Sequence, residues 1–568
     1  MHHELEKNSQ TISAGTNTVT VLDYHERTKH RFDGYARGPG TLDWEAQPSP
    51  FRHFAGAPQR PLPLQKSNEG PSYAELFSGK SITSLNWNET TISQLLQFSL
   101  ALSAWKQFGN SRWSLRCNPS SGNLHPTETY LIIIAIDGFE DGLYHYCVDQ
   151  HQLELRCRYP NTEVLNKQAL CKQPLLLLGF SSVPWREAWK YGERALRYTQ
   201  HDLGHALAAL SYAAATLGCE AKPIHEIGTV ALQQLLGLER SDEFYADEAE
   251  YGDMLVSLHP AGETHPYTDS LIEALLQLCG SGEWHGRANR LDSRHLYKWP
   301  LVDEVANAVH SPARPSEQKH QAEFWPGAIA AAEHPLSQQS ARTLFLQRRS
   351  AQAFDANATM TSDDFFRLMD RLLPRSELPP WSAQTAPGRI HIVVFVHSVE
   401  GLAPGLYAMP RRRAALDTMK AELREDLLWE VVDNAPTHLP FYRLVKANAR
   451  RAAMKLSCQQ AIAGDGVFSL SMLAEFEPVV GAQAWRYKDL FCEAGMTGQS
   501  LYLEAEAIGM RGTGIGCFFD DPVHETLGLQ GKTLQSIYHF TVGAPINDAR
   551  LASLAPYSST SSCTSSSK

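Results

Sequence analysis

The sequence predicts an α+β protein in which one folding unit occurs twice in tandem, and three observations lead there. Leu217-Gly218 and Ile508-Gly509, Leu236-Gly237-Leu238 and Leu527-Gly528-Leu529, and the single glycines Gly204 and Gly495 all stand 291 residues apart. Gly142-Leu143-Tyr144 and Gly405-Leu406-Tyr407 stand 263 apart, each shortly after a strand-like apolar run, 130–136 and 390–396. In both halves such runs alternate with stretches of helical period, which implies mixed helix and sheet layers. The shared features keep one order, so the shifting offsets need only insertions. A period of domain length makes this a duplication and not a stack of short repeats.

The elements follow in order. Residues 1–20 are expected to be flexible, and the first domain spans 21–282. Within it His25-Glu26-Arg27-Thr28-Lys29 stands where Gln347-Arg348-Arg349-Ser350-Ala351 stands in the second half. A Pro/Gly-rich arm, 34–66, cannot be a continuous helix and should wrap a surface. Ile92, Leu95, Leu96 and Ser99 mark a helix after a Thr90-Thr91 cap. Asp202 and Gly204 open a small-residue helix ending at Gly218, as Glu493 and Gly495 open one ending at Gly509. Residues 283–340, with several Pro and His and only short apolar runs, read as a linker. The second domain, 341–557, begins its clearest helix at Phe365, Leu368, Met369 and Leu372 after Ser362-Asp363, and the Ser/Thr-rich tail 558–568 should be disordered.

Composition narrows the function. With 568 residues, 43% apolar and 20% charged, the chain can bury more than one core. A net charge of −11 without a basic block excludes a broad nucleic-acid or anionic-lipid footprint, which leaves small molecules and peptides as partners. Ten cysteines without Cys-x-x-Cys spacing, and no signal-peptide order after Met1, fit reduced thiols in a cytoplasmic protein. The longest apolar runs, 131–136 and 175–178, are far too short to span a membrane.

The stretch 117–126, Cys-Asn-Pro-Ser-Ser-Gly-Asn-Leu-His-Pro, carries the most chemistry. Two hydroxyls, an amide and exposed backbone N–H groups within five residues suit the polar edge of a flavin ring, which needs donors and acceptors together. Competing signals are weaker. His201 and His205 have the i, i+4 spacing of zinc ligands, but no Glu follows His201 and no third ligand is evident, so a cap and helix surface is expected and no metal. Gly512-Thr513-Gly514-Ile515-Gly516 follows a helix and so lacks the context of a dinucleotide loop. Cys517, followed by Phe518-Phe519, reads as a core thiol.

The loop 118–126 together with Arg348-Arg349-Ser350-Ala351-Gln352-Ala353-Phe354 resembles the two ends of the nitroreductase flavin site. Tyr24-His25-Glu26-Arg27-Thr28-Lys29, Ser103-Ala104-Trp105-Lys106 and Ala188-Trp189-Lys190-Tyr191-Gly192-Glu193-Arg194 bring the likeness closer to the SagB-type dehydrogenases, which include azoline oxidases of peptide biosynthesis. That resemblance implies two nitroreductase-like, FMN-binding domains forming an internal pseudo-dimer. It assigns Arg348, Arg349 and Ser350 to the FMN phosphate, with Arg550 as a late contact and Gln352 where the family usually has a basic residue. Pro119, Ser120, Ser121 and Asn123 would meet the ring, with His125 where the superfamily often has Gln, and Gly514, Ile515 and Gly516 would lie along its N5 side, where glycines permit close approach. The converse site should be poor, because Pro379-Pro380-Trp381-Ser382-Ala383 replaces the loop and His225-Glu226 replaces Gly516-Cys517. One FMN per chain follows.

The resemblance further implies oxidation of a thiazoline or oxazoline in a peptide-derived substrate, with oxygen as final acceptor and a cyclodehydratase as candidate partner. Lys190 and Tyr191 take the role of base and its helper, Lys190 having a lowered pKa through partial desolvation near Arg194. The alternatives are an NAD(P)H-dependent nitro or quinone reductase, which needs no further nucleotide motif, and a flavin-poor scaffold for a peptide-modifying partner.

Overall fold

The uninterrupted apolar runs of each half form the central strands of two antiparallel sheets. The computed structural model describes residues 2–78, 86–167, 174–263, 268–314 and 336–557, with side chains from residue 15 onward. The first half contributes β1 (Leu102–Phe108), β2 (Ser111–Arg116), β3 (Thr127–Ile134), β4 (Gly142–Cys147), β5 (Gln152–Arg158), β6 (Leu175–Ser182), β7 (Cys219–Ile224) and β8 (Tyr251–Pro260). The second contributes β9 (Ile390–Val396), β10 (Gly405–Met409), β11 (Tyr442–Lys446), β12 (Phe468–Glu475), β13 (Arg511–Ile515), β14 (Leu534–Gly543) and β15 (Ala552–Leu554). One sheet runs β5-β4-β3-β6-β8-β7 and the other β11-β10-β9-β12-β14-β13, the same path with the same connectivity. The duplication read from the glycine offsets is therefore a duplication of topology.

The apolar runs lack polar alternation because both faces of each sheet are covered. In β3, Leu131 and Ile133 enter one core while Tyr130, Ile132 and Ile134 enter another. In β9, Ile392 and Val394 face one core and Val393 and Phe395 a second. A period of two thus persists, split between two apolar faces. Gly142 and Gly405 occupy one environment twice: a Cβ on either would lie 2.2 Å from a carbonyl oxygen of the neighbouring strand, that of Cys157 or Val445.

The helices that shape the site and the seam are α1 (His2–Arg27), α2 (Glu89–Gln97), α3 (Pro184–Tyr191), α4 (Ala195–Ala215), α5 (Pro300–Ala308), α6 (Ala341–Gln347), α7 (Ser362–Arg371), α8 (Arg486–Glu506) and α9 (Asp520–Leu527), and a further helix, Asp269–Gly280, ends at Gly280. The two longest buried ones, α4 and α8, cross where the halves meet. A Cβ on Gly204 would lie 2.0 Å from the Cys492 carbonyl oxygen, and one on Gly495 would lie 2.1 Å from that of His201. Only glycine allows these backbones to touch. The C-terminal strand β15 then leaves its own half and pairs with β1, forming a three-stranded sheet with β2. Tyr557 Oη accepts from Leu102 N at 3.0 Å and donates to Val148 O at 2.8 Å, fastening the strap.

Several expectations shift. Residues 2–20 lie within α1, whose later residues Val21 and Tyr24 are fully buried. Within 283–340, Glu283–Trp284 pairs with β5, Arg287–Ala288 pairs with Phe54–Ala55, and α5 packs on α1; residues 315–335 lie outside the described residues, as does the tail 558–568. Residues 59–61 of the arm add a strand to β5. The cap of α2 is Asn88, reciprocally bonded with Thr91, because its side chain can reach the Thr91 N–H at 3.0 Å; α7 begins at Ser362 behind Thr361. Among the described residues no helix is long and apolar enough to cross a membrane.

Gly→Ala in a helix interior ordinarily stabilises by up to about 1 kcal/mol. At Gly204 or Gly495 the sign should reverse, with a loss of more than about 2 kcal/mol in chemical denaturation, because backbone must move. Gly280→Ala, at a position with open space, should not lose stability.

Candidate active site

The crossing of α4 and α8 leaves a cavity of about 920 Å³ at the seam of the two halves. The loop 118–123 and His125 form one wall, residues 346–352 after α6 and the 513–517 segment of β13 form another, and Tyr198, His205 and Tyr538 lie between. Of the residues assigned from sequence, Pro119, Ser120, Ser121, Asn123, His125 and Tyr191 line it from the first half. Arg348, Arg349, Ser350, Gln352, Gly514, Ile515 and Gly516 line it from the second. Lys190 lies just behind the lining and Arg550 lies outside it.

The loop takes its shape from left-handed backbone at Gly122, Asn123 and His125, with φ of 59°, 61° and 52°. Its polar side chains hold that shape. His125 N donates to Ser120 Oγ at 2.7 Å, Asn123 Nδ2 to Ser114 O at 2.9 Å, and Ser121 N and Oγ to Asp202 Oδ1, both at 3.0 Å. Asp202 is buried in α4, and desolvation pushes its carboxyl up to about 7 despite those donors.

The opposite end is cationic. Lys106, Arg116, Arg348, Arg349 and Arg511 line the cavity against the carboxylates Asp202, Glu506 and Asp548. Arg348 is fully buried and crosses the seam, donating from Nε to Cys117 O at 2.8 Å and from Nη2 to Arg116 O at 3.0 Å. Burial and the neighbouring Arg348 bring Arg349 down to about 10, and burial with Arg349 and Arg511 lowers Lys106. Arg348 Nη1, Arg116 Nε and Asn118 Oδ1 are buried without a hydrogen-bond partner. Unmet donors among mutually repelling cations fit a phosphate group, and the adjoining loop fits a flat polar ring. Ser350 Oγ is 2.8 Å from Tyr502 Oη, which accepts from Gly514 N at 2.9 Å, so this wall is tied to α8. The glycines are required by protein as well: a Cβ on Gly514 would meet Tyr538 Oη at 2.0 Å, and one on Gly516 would meet the Tyr198 ring at 2.2 Å.

Lys190 and Tyr191 end α3 beneath the loop. A Cβ on Gly122 would lie 2.6 Å from Tyr191 Oη and 3.1 Å from Lys190 Nζ. Burial lowers the Lys190 pKa and Glu187 opposes it; Arg194, expected to contribute, is instead bound to Asp520 at 2.9 Å and to Thr28 O. Burial raises Tyr191 well above its usual value. Arg550 is exposed and paired with Asp548 at 2.7 Å, and it is not among the residues that line the cavity. His201 and His205 are buried, not on a helix surface: His201 stacks on Tyr538 and His205 Nε2 is 3.0 Å from its hydroxyl. Cys517 also departs from the core-thiol reading, since it lines the cavity and is half-buried.

At the converse position protein fills the space. Trp381 is 1% exposed and donates from Nε1 to Arg371 O at 2.7 Å, while His225 bonds Thr385 Oγ1. Arg27, which stands where Arg349 stands, is paired with Glu193 at 2.5 Å.

The sequence profile of the nitroreductase family matches residues 89–246 and 345–544. The chain belongs to the nitroreductase family. Among solved structures, a nitroreductase-like protein from Anabaena variabilis covers 93% of this chain and 99% of its own at 21% identity, with a TM-score of 0.65. This nitroreductase-family chain also matches the E. coli microcin synthetase McbBCD complex with truncated pro-MccB17 (18% identity, 35% and 70% covered, TM-score 0.26). A further match is the NADPH:FMN oxidoreductase of Vibrio harveyi complexed with NAD+ (15% identity, 36% and 69% covered, TM-score 0.22). No curated protein matches by sequence. Family membership makes the chain an oxidoreductase of the nitroreductase superfamily.

Sequence reading missed Arg116, Asn118, Tyr538 and Glu506 as lining residues. Asp202 had a signal, an acid two residues before the repeated glycine, but its contact with Ser121 is a tertiary fact. Its raised pKa has a measurable sign. The folded chain holds this proton more tightly than the unfolded chain, so the group's contribution to stability is full below about pH 4 and is lost as pH rises toward 7. Relative to Asp202→Asn, the wild type should lose about 2 kcal/mol between pH 5 and 7 in urea denaturation; a constant difference would refute the assignment.

Proposed function

We propose that the chain is an FMN-dependent dehydrogenase of the SagB type, oxidising a thiazoline or oxazoline in a peptide-derived substrate at one site per chain. Arg348, Arg349 and Ser350 would hold the phosphate, and the 119–123 loop with His125 and the 514–516 backbone would frame the ring. FMN bound there supplies a two-electron acceptor beside the C–H bond that breaks. The observation that carries the reading is the placement of Lys190 and Tyr191 against Gly122, under the loop that frames the ring. The Lys190 amine, its charged form disfavoured by burial, takes the proton from the carbon adjacent to the one that is oxidised. Tyr191, kept protonated by burial, donates a hydrogen bond that orients substrate at the same rim. A cyclodehydratase is the partner chemistry that forms the azoline this reaction consumes.

One observation favours a second reading: Tyr191 lines the cavity while Lys190 does not. A nitro or quinone reductase fed by NAD(P)H needs no amine there.

Lys190→Ala separates the two readings. It should lower azoline dehydrogenation by about 100-fold or more and leave quinone reduction near wild type; equal loss of both would end the base assignment. Acid release should give close to one FMN per chain, and Arg348→Gln should reduce that content. Two FMN per chain would mean that the Trp381 side is a second site.

A further inference from the structure

Cys458 and Cys517 are set apart from the six other described cysteines, which are all buried, whereas these two are half-buried. Their Sγ atoms are 2.8 Å apart. The two segments that carry them are locked on both sides. Phe519 N donates to Leu456 O at 2.9 Å, and Gln460 Nε2 donates to Cys517 O at 3.1 Å. Cys458 and Gln459 hold left-handed backbone, φ 52° and 57°, which non-glycine residues adopt only when surroundings impose it. Cys517 and Gln460 both line the cavity, so a solute entering it reaches Cys517, with Cys458 directly behind it.

We propose that Cys517 and Cys458 form a reversible dithiol–disulfide couple in the cavity wall, oxidised by small-molecule disulfides through thiol–disulfide exchange. Closing an Sγ–Sγ gap of this size to a bond of about 2.05 Å is a sub-ångström motion. The roles differ. The hydrogen bond with Cys458 lowers Cys517 below an ordinary thiol against the opposing effect of burial, with His30 and Arg194 adding to it. The same contact raises Cys458, which therefore keeps its proton. Cys517 lines the cavity and Cys458 does not, so Cys517 is the attacking thiolate and Cys458 the resolving thiol behind it. In the first step the Cys517 thiolate bonds one sulfur of RSSR and expels RS⁻. In the second, Cys458 loses its proton and attacks Cys517 Sγ, expelling the other RS⁻. The two protein thiols give up two electrons and two protons, and RSSR leaves as two RSH. The couple needs only the cavity and the two thiols, so it stands or falls separately from the azoline reading.

The test incubates the purified full-length chain with glutathione disulfide and follows free thiols and intact mass. Wild type should lose two thiols and two hydrogens while retaining no glutathione, and excess dithiothreitol should restore both thiols. Cys458→Ser should trap one glutathione, mapped by peptide mass to Cys517. Cys517→Ser should trap none at Cys458 over the time in which wild type oxidises. The wild-type rate should rise less steeply from pH 6 to 8 than that of an ordinary thiol, because more of Cys517 is already thiolate. Full retention of both thiols in excess glutathione disulfide, glutathione stably retained by wild type, or an adduct in Cys458→Ser only at another cysteine would each overturn the proposal.

Discussion

The contact on which the rest depends is the crossing of α4 and α8 at Gly204 and Gly495, where each backbone presses on a carbonyl oxygen of the other. Hydrophobic burial alone would bring two small-residue helices together, but it would not fix their rotation or their distance. Backbone contact at two glycines does both. Asp202 lies two residues before Gly204 and faces the 120–121 loop; Tyr502, seven residues after Gly495, accepts from Gly514 N and shares a hydrogen bond with Ser350 Oγ. The two walls of the cavity are therefore spaced by the crossing, and the lining residues of one half are registered against those of the other through it.

A symmetric crossing would make two equivalent sites, and the side chains around it show why it has not. Asp202 and Glu493 stand at matching positions of the two helices. Glu493 is met by Arg411 at 2.5 Å and by Arg389 N at 2.7 Å, while Asp202 is met only by the loop's own N–H and hydroxyl. A cation in one copy neutralises the acid and belongs to a filled interior around Trp381, over which Arg411 lies. Its lack of a counterpart beside Asp202 leaves a carboxyl that protonates near neutrality next to an open cavity. Arg27, at the position matching Arg349, is paired instead with Glu193 and is half exposed. The interior on this side is filled by the Arg411–Glu493 ion pair and by Trp381.

Much of this was legible in the sequence, and for physical reasons. Glycines that must accept a carbonyl or a backbone where a Cβ would sit cannot vary, so Gly142 and Gly405, or Gly204 and Gly495, keep their spacing and expose the duplication. The loop 118–126 was readable because turn-forming and hydrogen-bonding residues are concentrated in one short stretch. What stayed hidden depends on long-range pairing. Nothing local marks β15 as the partner of β1, or Arg194 as held by Asp520 more than 300 residues away. Arg550 looked like a phosphate ligand because it follows the β14 strand closely, yet Asp548 two residues earlier captures it. Cys517 looked like core because two phenylalanines follow it. Its burial is decided by the left-handed turn at Cys458, which sequence does not reveal.

The cationic end of the cavity carries an energetic consequence for the fold as a whole. Arg116 and Arg349 are each brought to about 10 chiefly by burial, and Arg348 is lowered for the same reason. These groups remain charged at neutral pH, so the chain bears the desolvation of several guanidiniums that its own carboxylates only partly offset. Arg348 is nevertheless held rigidly, by two carbonyls of the opposite half, and the β15 strap closes over Lys106 through Ser553 at 2.6 Å. A site with this build would be organised before an anion arrived, and the binding energy of an anion held there would add directly to the stability of the seam between the halves. Under the proposed function, cofactor retention and the integrity of the internal pseudo-dimer would then be one quantity, because the residues that would grip the phosphate are the same residues that stitch the two halves together.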